Sequence, residues 1–157
     1  WSCQPACVLN AGLKVDMNFS VESLETPALT KAHLADLLFE QGIHATVFSV
    51  TSWSELARDG KLVEKNQMTQ KIDAKTGVDM AFITQQLLQS AGLIIAATDY
   101  VHAVPESIRA YIPEGRKYIT LGTDGFGRSD TRVVLRDYFG VDAQSIVQAV
   151  LANIHAW

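Results

Sequence analysis

Cysteine is scarce in this sequence, with only Cys3 and Cys7 among 157 residues. The two sit four apart near the amino terminus, with no second pair and no neighbouring histidine to complete a zinc site, so they read as free thiols. Basic charge is also in short supply. Thirteen Lys and Arg against seventeen Asp and Glu leave a net charge of −4, without the positive stripe that nucleic-acid binding needs. No apolar run approaches the ~18 residues of a membrane span, and no charged-then-apolar leader marks a secretory signal. A Gly-x-Ser-x-Gly elbow is absent. None of His33, His44, His102 and His155 has the context of a triad base, and no two stand at the i, i+4 spacing of a metal-binding helix. These absences leave a soluble, cytoplasmic chain with neither nucleic acid nor membrane among its partners. Because the first residue is Trp1 rather than methionine, we expect a processed or excised piece of something longer.

Apolar residues make up 48% of the chain, enough for the core of one α/β domain. The most informative stretch runs from Leu121 through Gly122-Thr123-Asp124-Gly125-Phe126-Gly127-Arg128-Ser129-Asp130 to Arg132. A short β-branched and aromatic run, Tyr118 to Leu121, reads as a buried strand feeding a loop with three glycines in six residues. Ser129 can serve as N-cap for the N–H of Thr131 or Arg132, Asp130 places a negative charge at the positive end of the helix dipole, and Val134, Leu135 and Tyr138 form an apolar stripe. The order G-x-x-G-x-G is not the dinucleotide fingerprint, and no Gly-Lys-Ser/Thr follows. Spacing alone leaves open an architectural turn or an anion-holding loop. As a turn, it predicts positive φ at Gly125 or Gly127, Asp124 tying the loop together with Arg128 as its partner, and a helix that buries Leu135 and Tyr138.

Elsewhere the pattern alternates strands with helices. Ala6 to Leu9 and Phe19 to Val21 are candidate strands around an Asn10-Ala11-Gly12 turn. Thr26 and Pro27 open a helix carrying Leu34, Leu37 and Leu38, which Gly42 stops. Ala45 to Val50 reads as a strand whose polar end, Thr51-Ser52, leads into a short helical turn through Glu55 and Leu56. Residues 58–77, with Gly60 and Gly77 as breakers, read as a surface excursion. Asp79 caps a helix with Met80, Ile83, Leu87 and Ala91 on one face, ended by Gly92. Leu93 to Ala97 is apolar without alternation, as in a strand covered on both faces, and Thr98-Asp99-Tyr100 is its exit loop. Pro105 opens a helix through Ile108 and Ile112, closed by Pro113. Asp142 caps a last helix striped by Ile146, Val147, Val150, Leu151 and Ile154. The fold class is therefore α/β, a mostly parallel sheet with helices on both faces, which would gather Thr51-Ser52, Thr98-Asp99 and the Thr123 to Ser129 loop at one edge. Asp99 and Asp124 could do acid–base work there, but no activated nucleophile accompanies them, and fixing loops is the simpler role.

The string GTDGFGRSDTR, followed by Leu135, Tyr138-Phe139 and Val141-Asp142, closely resembles the carboxy-terminal domain of the homodimeric pyruvate dehydrogenase decarboxylase component. Val50-Thr51-Ser52-Trp53-Ser54-Glu55-Leu56-Ala57-Arg58-Asp59-Gly60 resembles that family's VTSFTELARDG, and Ala96-Ala97-Thr98-Asp99-Tyr100 resembles its ATDY. The likeness divides the chain into an uncertain segment, residues 1–25, and a transketolase C-terminal-like domain, residues 26–157. Before the first helix the family has a Gly-Ser-Gly turn, where this chain has Leu24-Glu25-Thr26-Pro27. The resemblance implies a non-catalytic domain that packs on the middle domain and supports a homodimer, in a parent that decarboxylates pyruvate and acetylates the lipoyl groups of an acyltransferase component. It also implies thiamine diphosphate and magnesium in the other domains and no cofactor here. Asp124-Gly125 with Asn153 mimics the spacing of the thiamine magnesium motif, but position 123 is threonine and Asn153 falls late in a helix. Phe126-Gly127-x-Ser129 also resembles the turn of transketolases, whose equivalent domain is one alternative. Another is a free-standing module holding an anion or protein on the glycine loop. On the first reading Thr51, Ser52, Asp99, Tyr100, Asp124, Gly125, Phe126, Gly127, Arg128, Ser129 and Asp130 are structural or interface residues.

Overall fold

The computed structural model describes residues 6–11, 31–69 and 80–154. Its centre is the strand Leu93–Ala97, all five of whose side chains are buried. The period of two is present within this unbroken apolar run. Ile94 and Ala96 pack on one side of the sheet, and Leu93, Ile95 and Ala97 on the other, because successive side chains of a strand point to opposite faces. A strand covered by helices on both sides has no reason to alternate with polar residues.

Numbered in chain order, the strands are β1 (Ala6–Ala11), β2 (Ala45–Val50), β3 (Leu93–Ala97) and β4 (Tyr118–Leu121), arranged β2-β1-β3-β4. β3 and β4 pair in parallel, with Ile94 beside Tyr118 and Ala97 beside Leu121. β1 is antiparallel to both its neighbours, so that Cys7 faces Ser49 on one side and Ala97 on the other. β2, β3 and β4 thus run in one direction and bring their carboxyl ends to one edge, with β1 reversed between them. β1 continues through Asn10 and Ala11, where the sequence suggested a turn. Phe19 to Val21, Thr26, Pro27, Gly77, Asp79 and His155 lie outside the described residues.

On one face of the sheet lie α1 (Lys31–Glu40) and α6 (Ala143–Ile154), which bury Leu34, Leu38, Ile146, Val147 and Val150. As expected, Gly42 ends α1, at φ 72°, and Asp142 caps α6 by accepting the Ser145 N–H at 2.9 Å. The other face holds α2 (Trp53–Thr69), α3 (Phe82–Leu88) and α4 (Ala103–Glu106).

Three local expectations are corrected. The charged stretch after Arg58 is helical, and α2 runs unbroken for 17 residues through Gly60. That glycine is a contact rather than a breaker, since a Cβ there would lie 2.3 Å from the Tyr111 ring. α3 is shorter than predicted and is capped from a distance. Asp59 of α2 accepts the Phe82 N–H at 2.7 Å, and Arg116 donates to the carbonyl of Leu87 in the helix's last turn and to those of Ser90 and Gly92 beyond it. The helix expected from Pro105 to Ile112 is instead the single turn α4 and a separate 3-10 turn, Arg109–Tyr111.

Candidate functional site

The loops after β3 and β4 meet at the carboxyl edge. Thr98 N–H donates to the Leu121 carbonyl at 3.0 Å, and Thr123 N–H to that of Tyr100 at 2.9 Å. The Thr123 hydroxyl donates to the Asp99 carbonyl at 2.8 Å. Gly122 allows this closeness, because a Cβ there would stand 2.7 Å from the His102 nitrogen and 2.8 Å from the Tyr100 oxygen, both main-chain atoms. Thr51-Ser52 stands at the same edge beyond β1, where the Ser52 hydroxyl accepts the Glu55 N–H at 3.2 Å and starts α2.

The three loop glycines differ in kind. Gly122 is required by space, and Gly125 by its φ of 110° with open space around it. Gly127 has no positive φ, and a Cβ at that position would meet nothing within 4 Å among the described residues. Asp124 does tie the loop, but to a different partner from the one predicted. Its Oδ1 accepts the His102 backbone N–H at 3.0 Å and its Oδ2 meets His102 Nδ1, while Arg128 lies over the Tyr138 ring, 4.1 Å from its centroid.

The helix that follows, α5 (Arg132–Phe139), overturns two expectations. Its N-cap is Thr131 rather than Ser129, and the nearby side-chain bond is from Thr131 N–H to Asp130 Oδ1 at 2.7 Å. It also faces the other way. Arg136, 6% exposed, is its buried residue, whereas Val133, Val134 and Tyr138 are exposed. Arg136 reaches Asp99 through two bonds, Nε to Oδ1 at 3.0 Å and Nη2 to Oδ2 at 2.7 Å, the paired geometry that suits a guanidinium and a carboxylate. Phe126, 96% exposed, Tyr100 and Val101 are further exposed apolar side chains of the loops at this edge. Arg128, Ser129, Asp130, Val134, Leu135 and Tyr138 line a shallow depression of about 290 Å³. The chemistry of this edge is that of a braced surface. Asp99 and Asp124 are both engaged by cationic or N–H partners, and among the described residues no activated nucleophile stands between them.

A second polar cluster braces the adjoining layer. Glu106 accepts from Arg109 Nη2 and from the Thr120 hydroxyl, each at 2.6 Å. The Arg109 guanidinium, with a smaller contribution from Thr120, holds the Glu106 carboxyl down at about 2. Burial pushes the Tyr118 hydroxyl up as it donates to the Pro105 carbonyl at 2.8 Å. Neither this cluster nor the Asp99–Arg136 pair was visible in the sequence.

The model of the transketolase-like TK C-terminal domain matches residues 29–142, a span running from before α1 to the start of α6 and including the glycine loop. The chain belongs to this transketolase C-terminal family. Within the family it is similar to the pyruvate dehydrogenase E1 component of Mycolicibacterium smegmatis, at 46% identity over 121 residues that cover 76% of this chain and 12% of the relative. The component from Mycobacterium tuberculosis is 47% identical over 115 residues, 73% of this chain and 12% of the relative. That from Escherichia coli K12 is 39% identical over 115 residues, again 73% and 12%. The transketolase C-terminal domain seen here therefore spans only about an eighth of the length of these relatives. Among the described residues, no helix is long and apolar enough to cross a membrane.

Asp124 and Asn153 do not fit the thiamine magnesium site that their spacing imitates. Asp124 is held by His102, and the Asn153 amide donates to the Ala149 carbonyl within α6 at 2.7 Å.

Proposed function

We propose that this chain is the carboxy-terminal domain of a thiamine diphosphate-dependent pyruvate dehydrogenase (acetyl-transferring) of the E1 type. Its own work is to pack against the rest of that enzyme and to support a homodimer. The observation that carries this is α5, which hides its arginine and turns Val134 and Tyr138 toward solvent, while Phe126 of the preceding loop is 96% exposed. An isolated soluble helix normally does the reverse, and an apolar face left outside calls for a neighbour. The residue-level likeness to E1 components over about three quarters of the chain supports the choice of parent. On this reading pyruvate decarboxylation, thiamine diphosphate and magnesium, and contact with a lipoyl acyltransferase belong to the remainder of the enzyme, in the cytoplasm. Residues 26–157 form the domain, and Thr51, Ser52, Asp99, Tyr100 and Asp124 to Asp130 serve its architecture and interfaces.

Calorimetric titration of the chain with thiamine diphosphate and Mg²⁺ tests this assignment. No stoichiometric binding tighter than about millimolar is expected. Tight binding would return catalysis to this domain. The gene offers the complementary check, since an upstream coding region with a thiamine site should be continuous with this segment.

A further inference from the structure

We infer that Asp124-Gly125 is a site of spontaneous modification, where the chain closes a succinimide on itself and reopens it as isoaspartate, with His102 supplying the proton. The inference stands apart from the enzyme assignment above. The sequence holds two Asp-Gly pairs, Asp59-Gly60 and Asp124-Gly125, and glycine is the residue that least obstructs attack by its own nitrogen on the preceding carboxyl group. The structure separates the two. Asp59-Gly60 lies inside α2, where helical dihedrals fix the main chain, the Tyr111 ring closes over Gly60, and the Asp59 carboxylate accepts the Phe82 N–H. Gly125 stands in the open glycine loop. A Cβ there would meet none of the described residues within 4 Å, and none of them accepts its N–H.

The Asp124 carboxyl group is half-exposed, and one residue meets both its oxygens: Oδ1 accepts the His102 main-chain N–H at 3.0 Å, and Oδ2 meets His102 Nδ1. As the Gly125 nitrogen attacks Cγ, negative charge builds on Oδ1, where that N–H is already placed. The Nδ1 proton of the imidazolium passes to Oδ2. The N–Cγ bond forms, the Cγ–Oδ2 bond breaks, and Oδ2 leaves as water with one proton from the imidazolium and one from the Gly125 nitrogen. A second water opens the imide. Addition at Cγ restores aspartate, whereas addition at the Asp124 main-chain carbonyl leaves the chain running through Cγ, one methylene longer, and ionisation of the new carboxyl returns the proton. Nothing is oxidised or reduced, and the overall change is an isomerisation. It turns the carbon whose oxygens meet His102 into a main-chain amide, so the ionic tie between the two loops is lost.

Incubating the full chain in neutral buffer, folded and in urea, tests this, with isoaspartate measured at each pair by proteolysis and electron-transfer fragmentation. In the folded chain Asp124 should convert at least about tenfold faster than Asp59, a small part of what a well-placed general acid supplies. In urea the two pairs should react alike, and Asp124 more slowly than in the folded chain. His102→Ala keeps the main-chain N–H and should slow conversion of folded Asp124 at least about fivefold, with circular dichroism unchanged. Asp124→Glu should abolish the product, because a six-membered imide closes far more slowly. Equal rates at the two pairs in the folded chain would overturn the inference, as would faster conversion of Asp124 in urea. So would a folded His102→Ala that converts as fast as wild type. The comparison of folded and unfolded wild type needs no variant, so it decides the matter even where His102→Ala loses its fold.

Discussion

The last two helices, α5 and α6, are joined by a few residues and behave in opposite ways. α6 buries Ala143, Ile146, Val147 and Val150 against β3 and α1, so its sequence pattern and its surroundings agree. α5 carries apolar residues at comparable spacing yet buries Arg136 and exposes Val133, Val134 and Tyr138. Periodicity identifies a helix with two unlike sides. It does not say which side faces the chain's own core, and in α5 a carboxylate 37 residues away decides the matter.

The contrast breaks most readily at α6. Ile146 is fully buried, and Ile146→Ala should cost about 3 kcal/mol, the usual penalty for emptying a packed aliphatic site. Thermal or urea unfolding measures it, and a cost below about 1 kcal/mol would erase the distinction between the helices. Next is Arg136→Ala, with an expected loss of about 2–3 kcal/mol because Asp99 is left half-hidden without its cation. Adding Asp99→Asn should recover part of that loss, since the stranded charge goes too, and a double-mutant cycle reads the coupling directly.

The Glu106–Arg109 pair sharpens the comparison, because here both partners sit within one turn of chain. Glu106→Gln should cost about 1 kcal/mol at neutral pH, less than the loss of Arg136, as the pair is partly solvated. The sign of its pH dependence is defined. The folded carboxyl lies below its ordinary value of 4.5, at about 2, so its contribution is complete above 4.5 and disappears as pH falls toward 2. Unfolding curves for wild type and Glu106→Gln should therefore converge across that window. The smallest effect belongs to Val134→Ala on α5, within about 0.5 kcal/mol for the monomer. A loss as large as that at Ile146 would mean that α5 packs on its own core after all.

Much of the fold could be read from the chain before its structure, and the reasons differ by element. β3 was clear because five apolar residues between Gly92 and a polar loop have no other good use. α6 was clear because Asp142 caps it and its stripe is wide. α2 was hidden by Gly60, which reads as a breaker in any local window and is explained only by the ring of Tyr111, far along the chain. The site shows the same division. The glycine loop, its joining of strand to helix and the tie made by Asp124 were legible. Its partner was not, since His102 comes from another loop and Arg128 is nearer in sequence. Ser129 as N-cap failed because Thr131 starts the helix two residues later. Trp53, where the resembling motif has phenylalanine, buries an indole N–H that finds no hydrogen-bond partner among the described residues, a mismatch that sequence patterns cannot register.

Gly122 carries a consequence for descent. Neither turn propensity nor backbone flexibility holds glycine at this position. Any side chain would begin inside the main chain of Tyr100 and His102, atoms that no rotamer change can move aside. At Gly125 the space is open but a φ of 110° strains the backbone of any residue with a Cβ, and at Gly127 the described residues leave room for a side chain. Lineages diverging from this chain should therefore replace the three glycines in reverse order of constraint: position 127 first, position 125 only at the cost of backbone strain, and position 122 not at all while the two loops remain bonded to each other.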